Sequence, residues 1–259
     1  RFSFVQEGLA VDCPAEDNLI IKCYQRMRAK YPQIGDVRIR FKKNIPFGAG
    51  LGGGSSDAAH MAIALNEIFA LGLTREQLAE EVRPLGADCP FFIYNTPCYA
   101  EGIGDQLTPI SLDLNGLRLV MIKPACGVST KEAYAGIKPK GTCKVLNDLK
   151  VLTVLNDLTI LSALTNDFEE TVCKVHPEIA AIKQRLLSAG AIYAAMSGSG
   201  STVFGLFPTP SYTTLHNSTP SYTTLHNATQ HDAEGRTDAQ LRLLHEEFAS
   251  MVIFDDTLA

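Results

Sequence analysis

Residues Pro46 to Ala59 read Pro-Phe-Gly-Ala-Gly-Leu-Gly-Gly-Gly-Ser-Ser-Asp-Ala-Ala, with five glycines in the seven positions from Gly48 to Gly54. Without Cβ atoms in the way, successive backbone N–H groups can converge on one point, and a helix starting directly afterwards adds the positive end of its dipole. Such a nest suits a polyanion, so phosphates are expected against the amides of Gly50 to Ser56. A side chain at Gly53 is expected to fill the space the phosphates need. The competing reading is a flexible linker, and the flanks oppose it.

Before the glycines, Val37-Arg-Ile-Arg-Phe41 alternates apolar and charged residues as a half-buried strand does, and Pro46 ends any ladder. After them, Ser55 or Ser56 is expected to cap a helix carrying Ala58, Met61, Ala62, Leu65, Ile68 and Phe69 at three- and four-residue spacing, with Gly72 as its stop. The order is strand, glycine loop, helix. A P-loop requires Lys before Ser/Thr, where this chain has Gly54. The segment Gly48 to Gly53 does match G-x-G-x-x-G, but Glu76, in a helical pattern, replaces the acidic strand end that a dinucleotide fold requires.

Further elements follow from local signals. Thr74 to Gln77 has capping-box spacing, and Asp88 sits in a Gly-Ala-Asp-Cys-Pro turn. A strand is expected at Leu117 to Ile122, helices at Ser129 to Ala135 and Pro177 to Ser188 with Gly190 as the stop, and a last strand at Met251 to Phe254. Ser197 to Gly200 forms a small-residue turn between two strand patterns. His60 is expected in an exposed or core role, and His176 at a helix boundary before Pro177. No His/Cys/carboxylate spacing marks a protein-held metal site. Val145-Leu-Asn-Asp-Leu149 recurs at 154–158 and Thr209 to Asn217 recurs at 219–227. The second copy is too short for a solenoid, and Thr209 to Gly235 is expected to be a mobile surface insertion.

With 259 residues, 46% of them apolar, the chain can bury one large or two small cores. A net charge of −5 with no basic run longer than Lys42-Lys43 disfavours nucleic-acid binding. Seven scattered cysteines without a C-x-x-C pair read as reduced thiols, hence a cytoplasmic location, and no apolar stretch reaches membrane-spanning length.

The Pro46–Ala59 segment resembles the signature loop of the GHMP kinases (galactokinase, homoserine, mevalonate and phosphomevalonate kinases). Leu85 to Phe92, Ala100 to Gly104, Asn166 to Glu169 and Met196 to Phe204 agree with the same family in order. The resemblance covers roughly residues 1 to 135 and 162 to 207. It implies an α+β, two-domain architecture: an S5-domain-2-like ATP-binding domain over 1–115, and a ferredoxin-like domain over 116–259 with a polar insertion at about 208–240. The glycine loop is expected to face the cleft between them. The resemblance further implies ATP against Pro46, Gly48, Ala49, Gly50, Leu51, Gly52, Gly53, Gly54, Ser55 and Ser56, with Mg²⁺ reached through the Ser56 hydroxyl. Asp88 is implied as catalytic base beside the acceptor hydroxyl, and Gly198, Ser199 and Gly200 as closing on the substrate. The implied reaction is phosphorylation of a small molecule, a cytidine-diphospho-methylerythritol of non-mevalonate isoprenoid synthesis, by a monomer or homodimer. The chain opens on Arg1 instead of Met, and the resemblance implies a preceding strand with an active-site Lys and Asn. A nucleotide-binding remnant and another GHMP small-molecule kinase are the alternatives.

Overall fold

In a computed structural model the chain divides into two units, Arg1–Phe47 with Gly52–Ser111, and Gly48–Leu51 with Leu112–Ala259. The structure describes residues 2–137, 161, 164–210 and 233–258.

In the first unit, β1 (Ser3–Gly8) pairs in parallel with β2 (Arg38–Lys43), from Ser3 opposite Arg38 to Gly8 opposite Lys43. Between them runs α1 (Leu19–Lys30), whose first turn is capped by Asn18 Oδ1 accepting from the Ile20 amide at 3.0 Å. Its residues Ile20, Tyr24 and Met27 recur at helical spacing and are buried, and Phe2 stacks on Tyr24 with ring centroids 4.8 Å apart. Three more helices follow, α2 (Gly53–Ile68), α3 (Arg75–Val82) and α4 (Cys89–Tyr94), then a hairpin of β3 (Cys98–Glu101) and β4 (Gln106–Pro109). The sequence reading anticipates two helices here, and the structure has four. The capping box forms as expected, with Thr74 and Gln77 exchanging side-chain and backbone bonds. α2 ends at Ile68, ahead of the expected stop at Gly72, and Ile68 is exposed.

The second unit is built on a four-stranded antiparallel sheet in the order β6-β7-β5-β8, made of β5 (Leu117–Ile122), β6 (Tyr193–Met196), β7 (Val203–Pro208) and β8 (Val252–Thr257). Among the described residues four helices accompany it: α5 (Thr130–Gly136), α6 (Glu169–Val175), α7 (Pro177–Ser188) and α8 (Ala233–Glu247). Val120, Ile122, Val203 and Phe207 of the sheet share one core with Ile179, Ile182 and Leu186 of α7 and with Leu241 and Leu244 of α8. A second apolar cluster gathers Leu117, Leu161 and Leu206 with Tyr193 and Phe204. Arg118 grips the Asp255 carboxylate through both Nε (2.5 Å) and Nη2 (2.7 Å), tying β5 to β8.

The expected insertion at about 208–240 needs correction. Residues 233–240 belong to α8, which is anchored at the sheet because Leu241 and Leu244 are buried at three-residue spacing. The repeats at 145–158 and, apart from Thr209 and Pro210, at 209–227 lie outside the described residues.

Candidate active site

The glycine loop starts where β2 ends. Gly52 (φ 63°, ψ 20°) is the N-cap residue of α2 and has no side chain with which to cap it, so the helix's first amides, Gly53 to Ser55, have no intrahelical partner. The Ser56 amide already bonds the Gly52 carbonyl at 2.9 Å. The expectation that Ser55 or Ser56 caps the helix is therefore overturned: both lie inside its first turn. Ser55 hydrogen-bonds the thiol of Cys89, whose pKa burial raises. Ser56 Oγ is 3.4 Å from Nδ1 of the exposed His60, and that nitrogen is 2.8 Å from the Ser56 carbonyl. Pro46, Leu51, Gly52 and Gly53 are half-buried, Gly48 and Gly54 are exposed, and Ala49 is buried.

A Cβ at Gly53 would sit 3.0 Å from Lys43 Nζ and 3.2 Å from Ile45 Cγ2, so a side chain there would press on Lys43 of β2 and on Ile45 just after it. Lys43 is 4% exposed and forms an ion pair with Asp57 of α2, with its ammonium also 5.6 Å from the Phe41 ring centroid. This pair fixes the first turn of α2 against β2. A single charged residue at the end of an alternating strand gives no sequence sign of such a role.

In the same unit Asp88 is exposed and forms the N-cap position of α4, yet its side chain makes no capping bond. Its Oδ1 lies 3.8 Å from where a Cβ on Gly104 would be, so the Gly-Ala-Asp-Cys-Pro turn and the Ala100–Gly104 segment adjoin. The hairpin carrying Gly104 is held by Arg83, which donates to both the carbonyl and the carboxylate of Asp105 at 2.8 Å. An exposed carboxylate at a pinned turn can take a proton from a bound hydroxyl.

The second unit holds the Ser197–Ser201 turn together with the loop tip Gly48–Leu51. Thr202 N donates to the Ala49 carbonyl at 3.1 Å and Ser197 Oγ to the Gly50 carbonyl at 2.8 Å. Asn166 Nδ2 donates to the carbonyls of Met196 (2.8 Å) and Gly198 (2.7 Å), while Glu169 accepts from the Met196 amide at 2.7 Å and from Lys183 at 2.5 Å. Gly198 is exposed, Ser199 is 3.5 Å from Thr130 Oγ1, and Gly200 is buried. The Asn166–Glu169 segment thus braces the turn. Sequence reading misses one further grouping, because its members are distant in the chain: ligating atoms of Cys126, His176 and Glu178 lie within 4.8 Å of one another.

Residues 18–96 match the GHMP kinases N terminal domain and residues 150–212 the GHMP kinases C terminal domain. Over 207 residues, 80% of this chain, it is 44% identical to the 4-diphosphocytidyl-2-C-methyl-D-erythritol kinase of Azobacteroides pseudotrichonymphae, covering 76% of that protein. The enzyme of the same name from Bacteroides fragilis is 46% identical over 80% of this chain and 74% of its own. Among solved structures, a 4-(cytidine 5'-diphospho)-2C-methyl-D-erythritol kinase superposes with a TM-score of 0.63 at 31% identity, over 82% of this chain and 77% of that one. A homoserine kinase from Cytophaga hutchinsonii reaches 0.67 at 16% identity, over 100% of this chain and 82% of its own, and shares the fold. An uncapped glycine-loop helix, a braced second turn and relatives matched across both domains lead to one conclusion: the chain belongs to the GHMP kinase family.

Proposed function

We infer that this chain transfers the γ-phosphoryl group of ATP to the 2-hydroxyl of 4-diphosphocytidyl-2-C-methyl-D-erythritol. The observation that carries the reading is the uncapped first turn of α2, opened by Gly52 and pinned from behind by Lys43 and Asp57. The substrate rests on relatives of that name at 44–46% identity. ATP with Mg²⁺, when bound, supplies the phosphoryl group and part of the charge neutralisation for its transfer. The amides of Gly53 to Ser55 fit this group, being donors at the positive end of a helix that has no side-chain cap. Ser56 offers a hydroxyl to the ion. Asp88 takes the proton from the attacking hydroxyl, and the Gly198–Gly200 turn closes on the substrate. The six described cysteines are all free, which supports a reducing, cytoplasmic setting, and among the described residues no helix is long and apolar enough to cross a membrane.

The test is direct measurement of phosphorylated product with the cytidine-diphospho substrate, homoserine and mevalonate offered in parallel. Turnover confined to the first is expected, and Asp88→Asn should lower kcat on the order of a hundredfold while ATP still binds. Preference for homoserine or mevalonate would replace the substrate assignment, and near-normal turnover of the variant would remove Asp88 from the base role.

A further inference from the structure

Cys126 follows β5, His176 joins α6 to α7, and Glu178 stands in the first turn of α7. Fifty residues separate the thiol from the imidazole, yet one ligating atom from each of the three lies within 4.8 Å of the others. All three belong to the second unit, and none is used in the phosphoryl-transfer reading. We propose that Cys126, His176 and Glu178 bind one divalent cation of the zinc class, with water completing a tetrahedral shell.

The ring of His176 supplies an independent sign. Its Nδ1 is 3.8 Å from Glu178 Oε1, close to the separation of about 3.3–3.6 Å that tetrahedral zinc bonds impose between neighbouring donors. Its Nε2 is buried with no hydrogen-bond partner, and Glu132 Oε1 lies 4.0 Å from it. A histidine that ligates through one nitrogen characteristically donates the other N–H to a carboxylate, which fixes the ring and strengthens the ligand. With Nδ1 on the ion, Glu132 is placed to play that part after a small contraction, and the orphaned nitrogen gains its partner.

The backbone of the site is already held. The Cys126 carbonyl accepts from Ser201 Oγ at 2.7 Å and from Lys123 Nζ at 3.0 Å. Glu178, 45% exposed, leaves an access path for the ion. Burial, with the Glu178 carboxylate adding to it, pushes the Cys126 thiol up to about 11, so the free protein carries a thiol and not an activated nucleophile. On binding, the S–H bond breaks, its proton passes to solvent, and the sulfur's electron pair forms the bond to the cation without any redox change. Thiolate and imidazole ligands favour zinc over the hard magnesium ion that travels with nucleotide phosphates, so this site is chemically distinct from the nucleotide's own metal.

Cobalt(II) chloride titrated into the tag-free full chain under a phosphine reductant provides the test. The expected result is one equivalent bound, a thiolate-to-cobalt charge-transfer band in the near ultraviolet, and stoichiometric displacement by zinc. Cys126→Ser should abolish the band, His176→Gln should weaken cobalt affinity at least tenfold, and Glu132→Gln by about tenfold; Cys98→Ser, in the first unit, should leave the spectrum unchanged. The proposal is overturned if the unaltered chain shows no charge-transfer band at one equivalent, a result that needs no variant to fold. It is equally overturned if the band persists in a Cys126→Ser protein with native circular dichroism.

Discussion

Two glycine-rich turns, Gly48–Gly54 and Ser197–Ser201, look alike in sequence and use glycine for opposite reasons. The first contains a left-handed Gly52 that starts a helix without a side-chain cap, so the first amides of that helix have no intrahelical partner. In the second, several polar groups are matched within the fold, though the buried Thr202 hydroxyl is not: Asn166 takes two carbonyls, Glu169 takes the Met196 amide, and the Ser197 hydroxyl and Thr202 amide donate to the loop tip at Gly50 and Ala49. Where the two meet, Gly50 (φ 75°) allows a close backbone approach, for a Cβ there would lie 2.4 Å from the Ser197 carbonyl oxygen and 2.6 Å from that of Gly200. Glycine count alone therefore says little. What separates the two turns is how many of their hydrogen-bonding groups are matched within the fold.

The interlock at Gly50 is where the largest effect is expected. In Gly50→Ala the methyl group meets two carbonyl oxygens that cannot move independently of the turn, and the residue must hold a left-handed conformation. A loss of about 3 kcal/mol or more is expected in urea unfolding, together with at least a tenfold weakening of ATP binding. A variant as stable as the parent would mean that the turns do not interlock. Next comes Lys43→Met, which strips the partner from Asp57 behind the first turn. Because Asp57 is about a quarter exposed, a cost of about 2–3 kcal/mol is expected, with a raised KM for ATP as the α2 amides lose their alignment. Calorimetric ATP titration checks this directly. The smallest effect belongs to Asn166→Ala, which frees the part-buried Met196 carbonyl and the exposed Gly198 carbonyl at about 1–2 kcal/mol. Substrate KM should rise in this variant while ATP affinity stays within about twofold. If ATP binding fell as far as in Lys43→Met, the division of labour between the turns would collapse.

Much of the fold is legible because its signals are local. The β2 alternation, the Thr74–Gln77 box, the boundaries of β5 and α7, the Gly190 stop (φ 104°) and the β6–β7 hairpin all follow from hydrogen bonds and periodicities spanning a turn or two. The sequence reading names neither α1 nor α8, although both carry comparable marks. Asn18 precedes Ile20, Tyr24 and Met27, and Leu241, Leu244 and Phe248 recur at helical spacing after a polar stretch that masks them.

The candidate site is legible in part. Sequence by itself determined the strand–loop–helix order around Gly48–Gly54, the Asp88 turn and the family, since each is written in adjacent residues. Tertiary structure alone decided that Gly52 and not a serine begins α2, that Lys43 stands behind the loop on Asp57, and that Asn166 braces a turn thirty residues onward. It alone gathered Cys126, His176 and Glu178. The physical reason is one of range: a cap or a period is settled within a few residues of backbone, whereas a contact between distant side chains exists only once whole elements have packed and fixed their directions.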